Sequence, residues 1–217
     1  MEILYLAIVL APLVGALTAG LFGRQLGRVN AHRVTITLVG ISTALSLYVL
    51  GGFVWGSRTP FDGTVYNWMM VGDVAFQVGF LVDELTAMMM AVVTFVSLMV
   101  HIYTIGYMAD EDHNWPDESR LRACAYQRFF AYISLFTFAM LMLVMANNFL
   151  QLFFAWEAVG LVSYLLIGFW MNRPTAVFAN LKAFLVNRVG DFGFLLGIAA
   201  LLMYFGSLHY GEVFNAV

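Results

Sequence analysis

Charged residues are scarce in this chain of 217 residues: Asp, Glu, Lys and Arg make up 11% of it, whereas apolar residues make up 62%. A soluble domain carries about 25% charged residues, so the deficit argues against a surface that faces water. Polar stretches long enough to form a soluble domain are also missing. Runs of about 20 apolar residues recur instead, which is the length that a helix needs to cross a bilayer. The composition therefore predicts a single membrane domain over residues 1–217.

Cysteine is almost absent, and the histidines are scattered. The single cysteine, Cys124, excludes an intrachain disulfide and a cysteine metal cluster. The four histidines, His32, His101, His113 and His209, show no metal-ligand spacing. We therefore expect no catalytic residue, metal site or redox cofactor in this chain. The first residues lack the basic region of a signal peptide, so the first apolar run is expected to remain as a transmembrane helix.

Six apolar segments have the length of transmembrane helices. They cover approximately residues 3–22, 34–55, 85–108, 129–146, 149–171 and 175–205. Pro174 falls at the first turn of the sixth segment, where proline is well tolerated. Between the second and third segments, the turn dipeptides Asp62-Gly63 and Gly72-Asp73 flank stretches of period two. This pattern predicts a short β-hairpin at the membrane surface, within an otherwise all-α integral membrane protein.

Arginine is unevenly distributed between the two sides of the predicted membrane domain. The first, third and fifth loops hold Arg24, Arg28, Arg33, Arg120, Arg122, Arg128 and Arg173. The opposite side holds Arg58 alone, next to several acidic residues. Because basic loops remain on the cytoplasmic side, both termini of this chain are expected to face away from the cytoplasm.

Glu157 is the one charged residue in the fifth predicted helix. It follows the start of that helix by eight residues, which is about 12 Å at 1.5 Å per residue, so it should lie near the middle of the membrane. A charged side chain there costs about 2.5–3.5 kcal/mol on insertion scales. The carboxyl group either stays neutral or stays charged against a basic partner, and a proton can switch either state. Alternatively, a neutral glutamic acid could simply hydrogen-bond helices together.

The sixth predicted helix contains three ionisable residues, Lys182, Arg188 and Asp191. Arg188 and Asp191 are three residues apart, so they share a face and can form an ion pair, which could be purely structural. Lys182 lies about 120° away around the helix, where it could carry protons, pair with Glu157 or extend to the interface. In the third helix, His101 could relay protons or serve only in packing. Together these residues indicate movement of protons or cations.

Two segments carry a resemblance to a known family. Residues 154–169, FAWEAVGLVSYLLIGF, and residues 180–191, NLKAFLVNRVGD, resemble the antiporter-like L subunits of bacterial respiratory complex I, the NADH–quinone oxidoreductase, whose mitochondrial equivalent is chain 5. Residues 127–132 and 68–73 also resemble this family. The resemblance implies a subunit that pumps protons, driven by NADH oxidation and quinone reduction elsewhere in a large complex.

The same resemblance implies the surroundings of the chain. NADH, flavin, iron–sulfur clusters and quinone would be held by partner subunits and not by this chain. Its partners would be the other membrane subunits of the complex and the lipid bilayer of the bacterial inner (plasma) membrane, and no nucleic acid is expected.

Carried over by position, Glu157 is similar to the glutamate of the family's membrane ion pair. Lys182, Arg188 and Asp191 fall on matching charged positions of the sixth helix. The family also has a lysine on a broken seventh helix, further lysines and histidines, and a long lateral helix. None of these occurs before Val217, so we expect the chain to be the N-terminal portion of such a subunit.

Two further functions stay open from the sequence. The large subunit of a multisubunit sodium–proton antiporter shares the same fold, and a proton switch at Glu157 suits it equally well. A scaffold, whose buried charges only hold helices together, is the third possibility.

Overall fold

The computed structural model describes residues 2–56, 58–71, 74–110, 115 and 124–216, without the side chains of Val71 and Val74. The elements are α1 (Glu2–Leu21), α2 (Gly23–Val54), β1 (Phe61–Val71), β2 (Val74–Val82), α3 (Glu84–Tyr107), α4 (Ala125–Val144), α5 (Phe149–Ile167), α6 (Pro174–Phe205) and α7 (Tyr210–Asn215). The first six helices are long and apolar enough to cross a membrane. The predicted fold class, six membrane helices with a β-hairpin between the second and third, is confirmed.

α1 packs between α2 and α4, and polar contacts join the three helices inside the apolar core. Pro12 lies within α1 and has no backbone N–H, so the carbonyl of Ile8 loses its helical hydrogen bond. Ser42 of α2 donates to that carbonyl at 2.7 Å, and Ser134 of α4 donates to the carbonyl of Pro12 at 2.8 Å. Neighbouring hydroxyl groups thus satisfy the backbone where water is excluded.

α2 begins at Gly23, earlier than the start near residue 34 that the sequence predicts. The basic segment that was expected to be a loop is helical apart from a break at Gly27, whose φ of 71° suits glycine. Arg28 lies just after this break and donates to the carbonyl of Met108 at 3.4 Å. An arginine near the end of a membrane helix can extend its side chain to the membrane–water interface. The basic residues therefore did not mark the start of α2.

The hairpin is antiparallel, and its register pairs Asp62 with Leu81 and Gly63 with Phe80. Asp62-Gly63 therefore lies within β1, and its prediction as a turn was wrong, because the pairing between the strands extends past it. The other predicted turn, Gly72-Asp73, lies outside the described residues. The hairpin joins the α4–α5 connection through a hydrogen bond of 3.0 Å from the Leu81 amide to the carbonyl of Met145.

Asn147 and Asn148 form the tight connection between α4 and α5, and both side chains are buried. The Asn148 side chain caps α5 by accepting from the Gln151 amide at 2.8 Å. The Asn147 amide donates to Asp62 of the hairpin at 3.0 Å. His209, just before α7, lies 3.6 Å from the same Asp62 carboxylate, so this connection joins the hairpin to the end of α6. The six-residue α7 was not expected from the sequence.

α6 is the least covered of the six long helices. Asp191 and Ile198 are its only buried residues within the described part of the chain. Its main contacts are with α5, through ring pairs such as Tyr164–Phe184 at 5.3 Å and Trp156–Phe194 at 6.1 Å. The charged residues of α6 therefore either face α5 or lie on the exposed surface of the helix bundle.

Gly79 allows the close approach of the hairpin to Asn147. A Cβ added at Gly79 would overlap the Asn147 side-chain amide, while the Gly79 N–H donates to Gln151 at 2.9 Å. We expect Gly79→Ala to cost about 1–3 kcal/mol of stability, measured by thermal unfolding of the detergent-solubilised protein. Gly106→Ala is the control, because a Cβ there meets open space; equal losses for both variants would contradict the expectation.

Candidate functional site: a charged cluster between α5 and α6

Glu157 and Arg188 form an ion pair between α5 and α6, in which an Arg188 Nη atom contacts Glu157 Oε2. Arg188 also lies 3.7 Å from Asp191 Oδ2 on its own helix. Its guanidinium group is 4.8 Å from the centre of the Phe184 ring. One cation is thus shared by two carboxylates, one from each helix.

Asp191 is largely buried, with 9% of its surface exposed. Its second carboxylate oxygen, Oδ1, accepts a hydrogen bond of 2.9 Å from the indole N–H of Trp156. Consecutive residues of α5, Trp156 and Glu157, therefore bind Asp191 and Arg188 of α6. These two contacts hold the helices together at the depth of the charges.

The charges of this cluster do not balance. It contains one guanidinium and two carboxylates, so one negative charge is unmatched when all three groups are ionised. A net charge is costly in a medium that solvates it poorly. Uptake of one proton makes the cluster neutral.

Two cavities adjoin the cluster at successive depths along α5. A cavity of about 210 Å³ extends from Asp191 towards Ile167 and has hydroxyl groups from Ser163 and Tyr164 in its wall. A second cavity of about 490 Å³ extends towards Leu152. The residues that line both are Leu143, Trp156, Asn187 and Asp191.

Lys182 is exposed on α6 and makes no hydrogen bond or ion pair with the described residues. The structure does not bring it to Glu157, whose cationic partner is Arg188. The pairing of Arg188 with Asp191, predicted from their spacing, is present. Lys182 therefore stands apart from the cluster on the same helix.

His101 of α3 is fully buried, and it forms no hydrogen bond or ion pair with Glu157, Arg188 or Asp191. Its Nδ1 lies 2.8 Å from the carbonyl of Ser97, and the Ser97 hydroxyl contacts that of Thr137 on α4. Its Nε2 has no hydrogen-bond partner among the described residues, and the ring meets Phe130 edge-on at 6.1 Å. These contacts fit either packing or a proton relay that includes an additional molecule.

Trp156 is the member of the site that the sequence analysis missed. Its signal was an indole N–H next to the one carboxylate of a membrane helix, because a tryptophan N–H within the bilayer core needs an acceptor. The acceptor of the Trp156 N–H depends on how α5 is rotated relative to α6. The spacing of residues within one helix does not contain this information, so the acceptor could not be predicted.

The comparisons with known families agree on one group of membrane proteins. A sequence model described as NADH-ubiquinone oxidoreductase (complex I), chain 5 N-terminus, matches residues 68–130. A second, described as NADH:quinone oxidoreductase/Mrp antiporter, TM, matches residues 146–217. The five predicted site residues all fall within these two matches.

Curated relatives bear the same names. The chain is 66% identical over 212 residues to NADH-quinone oxidoreductase subunit L of Neisseria meningitidis serogroup B, an alignment that covers 97% of this chain and 30% of the relative. It is 43% identical over 211 residues to NADH-ubiquinone oxidoreductase chain 5 of Arabidopsis thaliana, covering 97% and 30%. The chain thus spans about 30% of the length of these relatives.

Solved structures share the fold at lower identity. A chain of the Mrp complex from Dietzia sp. superposes with a TM-score of 0.72 and 22% identity, covering 97% of this chain and 20% of that one. A chain of an archaeal membrane-bound sulfane sulfur reductase gives 0.77 and 14%, covering 96% and 39%. These likenesses establish the same arrangement of helices.

The shared guanidinium predicts an unequal effect of two neutral substitutions. Arg188→Gln leaves two carboxylates without a cation, whereas Glu157→Gln leaves Arg188 paired with Asp191. We expect Arg188→Gln to lower the thermal stability of the detergent-solubilised protein more, and the double variant to deviate from additivity by about 0.5–3 kcal/mol. Lys182→Gln is the control and should change little. Strict additivity would mean that the two side chains do not interact.

Proposed function

Because this chain belongs to the antiporter-like membrane subunits of NADH–quinone oxidoreductase and Mrp antiporters, we propose that it contributes to proton translocation driven by NADH oxidation and quinone reduction in partner subunits. The observation that carries the proposal is the unmatched negative charge of Glu157, Arg188 and Asp191. The redox cofactors, namely NADH, flavin, iron–sulfur clusters and quinone, belong to those partners in this proposal. The chain itself supplies a proton-binding site within the membrane.

In the proposed mechanism, the cluster alternates between two states. With Glu157 and Asp191 both ionised, Arg188 is shared between them and one negative charge remains. A proton that binds either carboxylate neutralises the cluster and leaves Arg188 to the other one, which weakens one of the two contacts between α5 and α6. Displacement of charges in a neighbouring subunit biases this equilibrium, because electrostatic interactions extend far in a medium of low dielectric constant.

Lys182 and His101 have supporting roles in this proposal. Lys182 precedes Arg188 on α6 and lies nearer the helix end that follows Arg173, so it carries protons towards the cluster from that side. His101 has a buried ring nitrogen without a described partner and relays protons together with the hydroxyl groups of Ser97 and Thr137. Both roles require a change of protonation, for which lysine and histidine are suited.

A sodium–proton antiporter is the second candidate. The likeness to a chain of an Mrp complex and the second family description support it, because the same fold and cluster suit both functions. The 66% identity to an L subunit favours the first. Sodium-dependent proton exchange in everted vesicles without NADH would favour the antiporter.

Replacing the carboxylate of Glu157 tests the proposed function. Glu157→Gln preserves shape and hydrogen bonding but cannot bind or release a proton. We expect the number of protons translocated per NADH oxidised to fall in everted vesicles that contain the assembled complex, with NADH oxidation retained. Glu84→Gln is the matched control, since Glu84 is exposed at the start of α3. Full translocation by Glu157→Gln would favour the scaffold and refute the proposal.

The orientation of the chain is part of the same proposal. Arg28 connects the start of α2 to the end of α3 at Met108 and lies 4.9 Å from the ring of Tyr126 in α4, so basic residues gather at one end of the bundle. We propose that this end faces the cytoplasm of a bacterium, with the hairpin and both termini on the other side of the inner membrane.

Labelling of introduced cysteines tests this orientation. In a Cys124→Ser background, Gln25→Cys lies at the basic end and Asn67→Cys on the hairpin, and both positions are exposed. In intact spheroplasts, a membrane-impermeant maleimide should label Asn67→Cys and not Gln25→Cys, with the reverse result in everted vesicles. The opposite pattern would invert the proposed topology.

A further inference from the structure

Trp156 lies where the two cavities beside the charged cluster meet. Its side chain lines both of them, together with Asp191, which accepts its indole N–H at 2.9 Å. The cavity of about 210 Å³ continues past Ser163 and Tyr164, and the one of about 490 Å³ continues past Leu152. The contact between Trp156 and Asp191 therefore lies in the shared wall of one space that extends towards Ile167 and another that extends towards Leu152.

The indole has both a specific tether and room to move. An indole has a single hydrogen-bond donor and no acceptor, and here that donor is engaged by Asp191. Trp156 is 48% exposed within this chain, so close packing does not lock the ring in place. Besides the edge-on contact with Phe194 at 6.1 Å, this hydrogen bond is the specific contact that orients the ring.

The strength of that tether depends on the proton content of the cluster. A hydrogen bond to an ionised carboxylate is about twice as strong as one between neutral groups, so protonation of Asp191 weakens it. The charged groups around Asp191 are Arg188 on its own helix and, through it, Glu157 on α5. α4 contributes Met140 and Leu143 to the cavity wall, and neither is charged.

From this geometry we propose that Trp156 is the gate between the two cavities, held closed by its hydrogen bond to ionised Asp191 and released when Asp191 binds a proton. The inference rests on the proposed function of the cluster. A proton from the cavity of Ser163 and Tyr164 bonds to an Asp191 oxygen, and Arg188 then remains paired with Glu157. The indole turns away, and the proton leaves to the other cavity. Trp156 is a positioning residue, because it exchanges no proton itself.

Trp156→Phe tests the gate, because phenylalanine keeps an aromatic ring but has no N–H. The experiment uses everted vesicles that contain the assembled complex. After NADH is exhausted, the decay of the pH gradient measures the passive leak. We expect the leak per assembled complex to rise about tenfold or more, since one charge-assisted hydrogen bond is lost. Trp68→Phe is the matched control, as the Trp68 indole makes no hydrogen bond with the described residues.

Trp156→Leu supplies a second test that leaves the proton-binding carboxylate of Asp191 intact. Leucine has no N–H and cannot bind Asp191, so the same leak is expected. A wild-type leak rate in the assembled Trp156→Phe complex would refute the proposed gate. This holds even if less complex assembles, because a tryptophan with a purely structural role would affect assembly and not the leak. If Trp156→Phe does not assemble, Trp156→Leu decides in the same way.

The outcome is distinguishable from failure of the proposed function. The leak is measured without NADH, whereas the Glu157→Gln experiment counts protons moved during NADH oxidation. Loss of pumping in Glu157→Gln together with unchanged leak in Trp156→Phe would refute the gate alone. Normal pumping in Glu157→Gln would refute the proposed function whatever the leak.

Discussion

An ionised side chain in hydrocarbon must find its partner within the protein, because no water is present to solvate it. Arg188 meets this requirement for Glu157 and Asp191 together, and in doing so it joins α5 to α6. One cation cannot neutralise two carboxylates, so the contact that stabilises the helix pair also leaves one negative charge unmatched. The contact between α5 and α6 and the proposed function thus depend on the same three side chains.

The same constraint governs the neutral polar groups. Where Pro12 leaves the Ile8 carbonyl without its helical donor, Ser42 supplies one. Serine and threonine hydroxyl groups repeat this role between α2, α3 and α4, as in the hydrogen bond of 3.1 Å from Thr43 to the carbonyl of Thr94. α1 to α4 are therefore joined by many weak contacts, whereas α6 depends on a few strong ones. The proposed proton switch therefore lies on the least covered of the long helices.

The features that could be predicted from the sequence are those that depend on a single segment of the chain. The apolar runs, the hairpin and the Arg188–Asp191 pair follow from length, the alternation of side chains in the strands and spacing along a helix. The Glu157–Arg188 pair and the Trp156–Asp191 hydrogen bond depend on how α5 and α6 are rotated against each other, which no single helix shows. The early start of α2 was missed because basic residues were expected to form a loop. Asp62-Gly63 was misassigned because cross-strand pairing with Leu81 and Phe80 overrides its turn preference.

The hairpin's attachment to the α4–α5 connection has a consequence for the order of events during synthesis. Asp62 precedes its partner Asn147 by 85 residues, and Gly79 precedes Gln151 by 72. At about 5–20 residues per second, the ribosome delivers these partners several seconds after the hairpin has been made. A two-stranded hairpin alone is only marginally stable in water. It therefore becomes stable only when the fourth and fifth helices have been inserted, and its docking marks the completion of this half of the bundle.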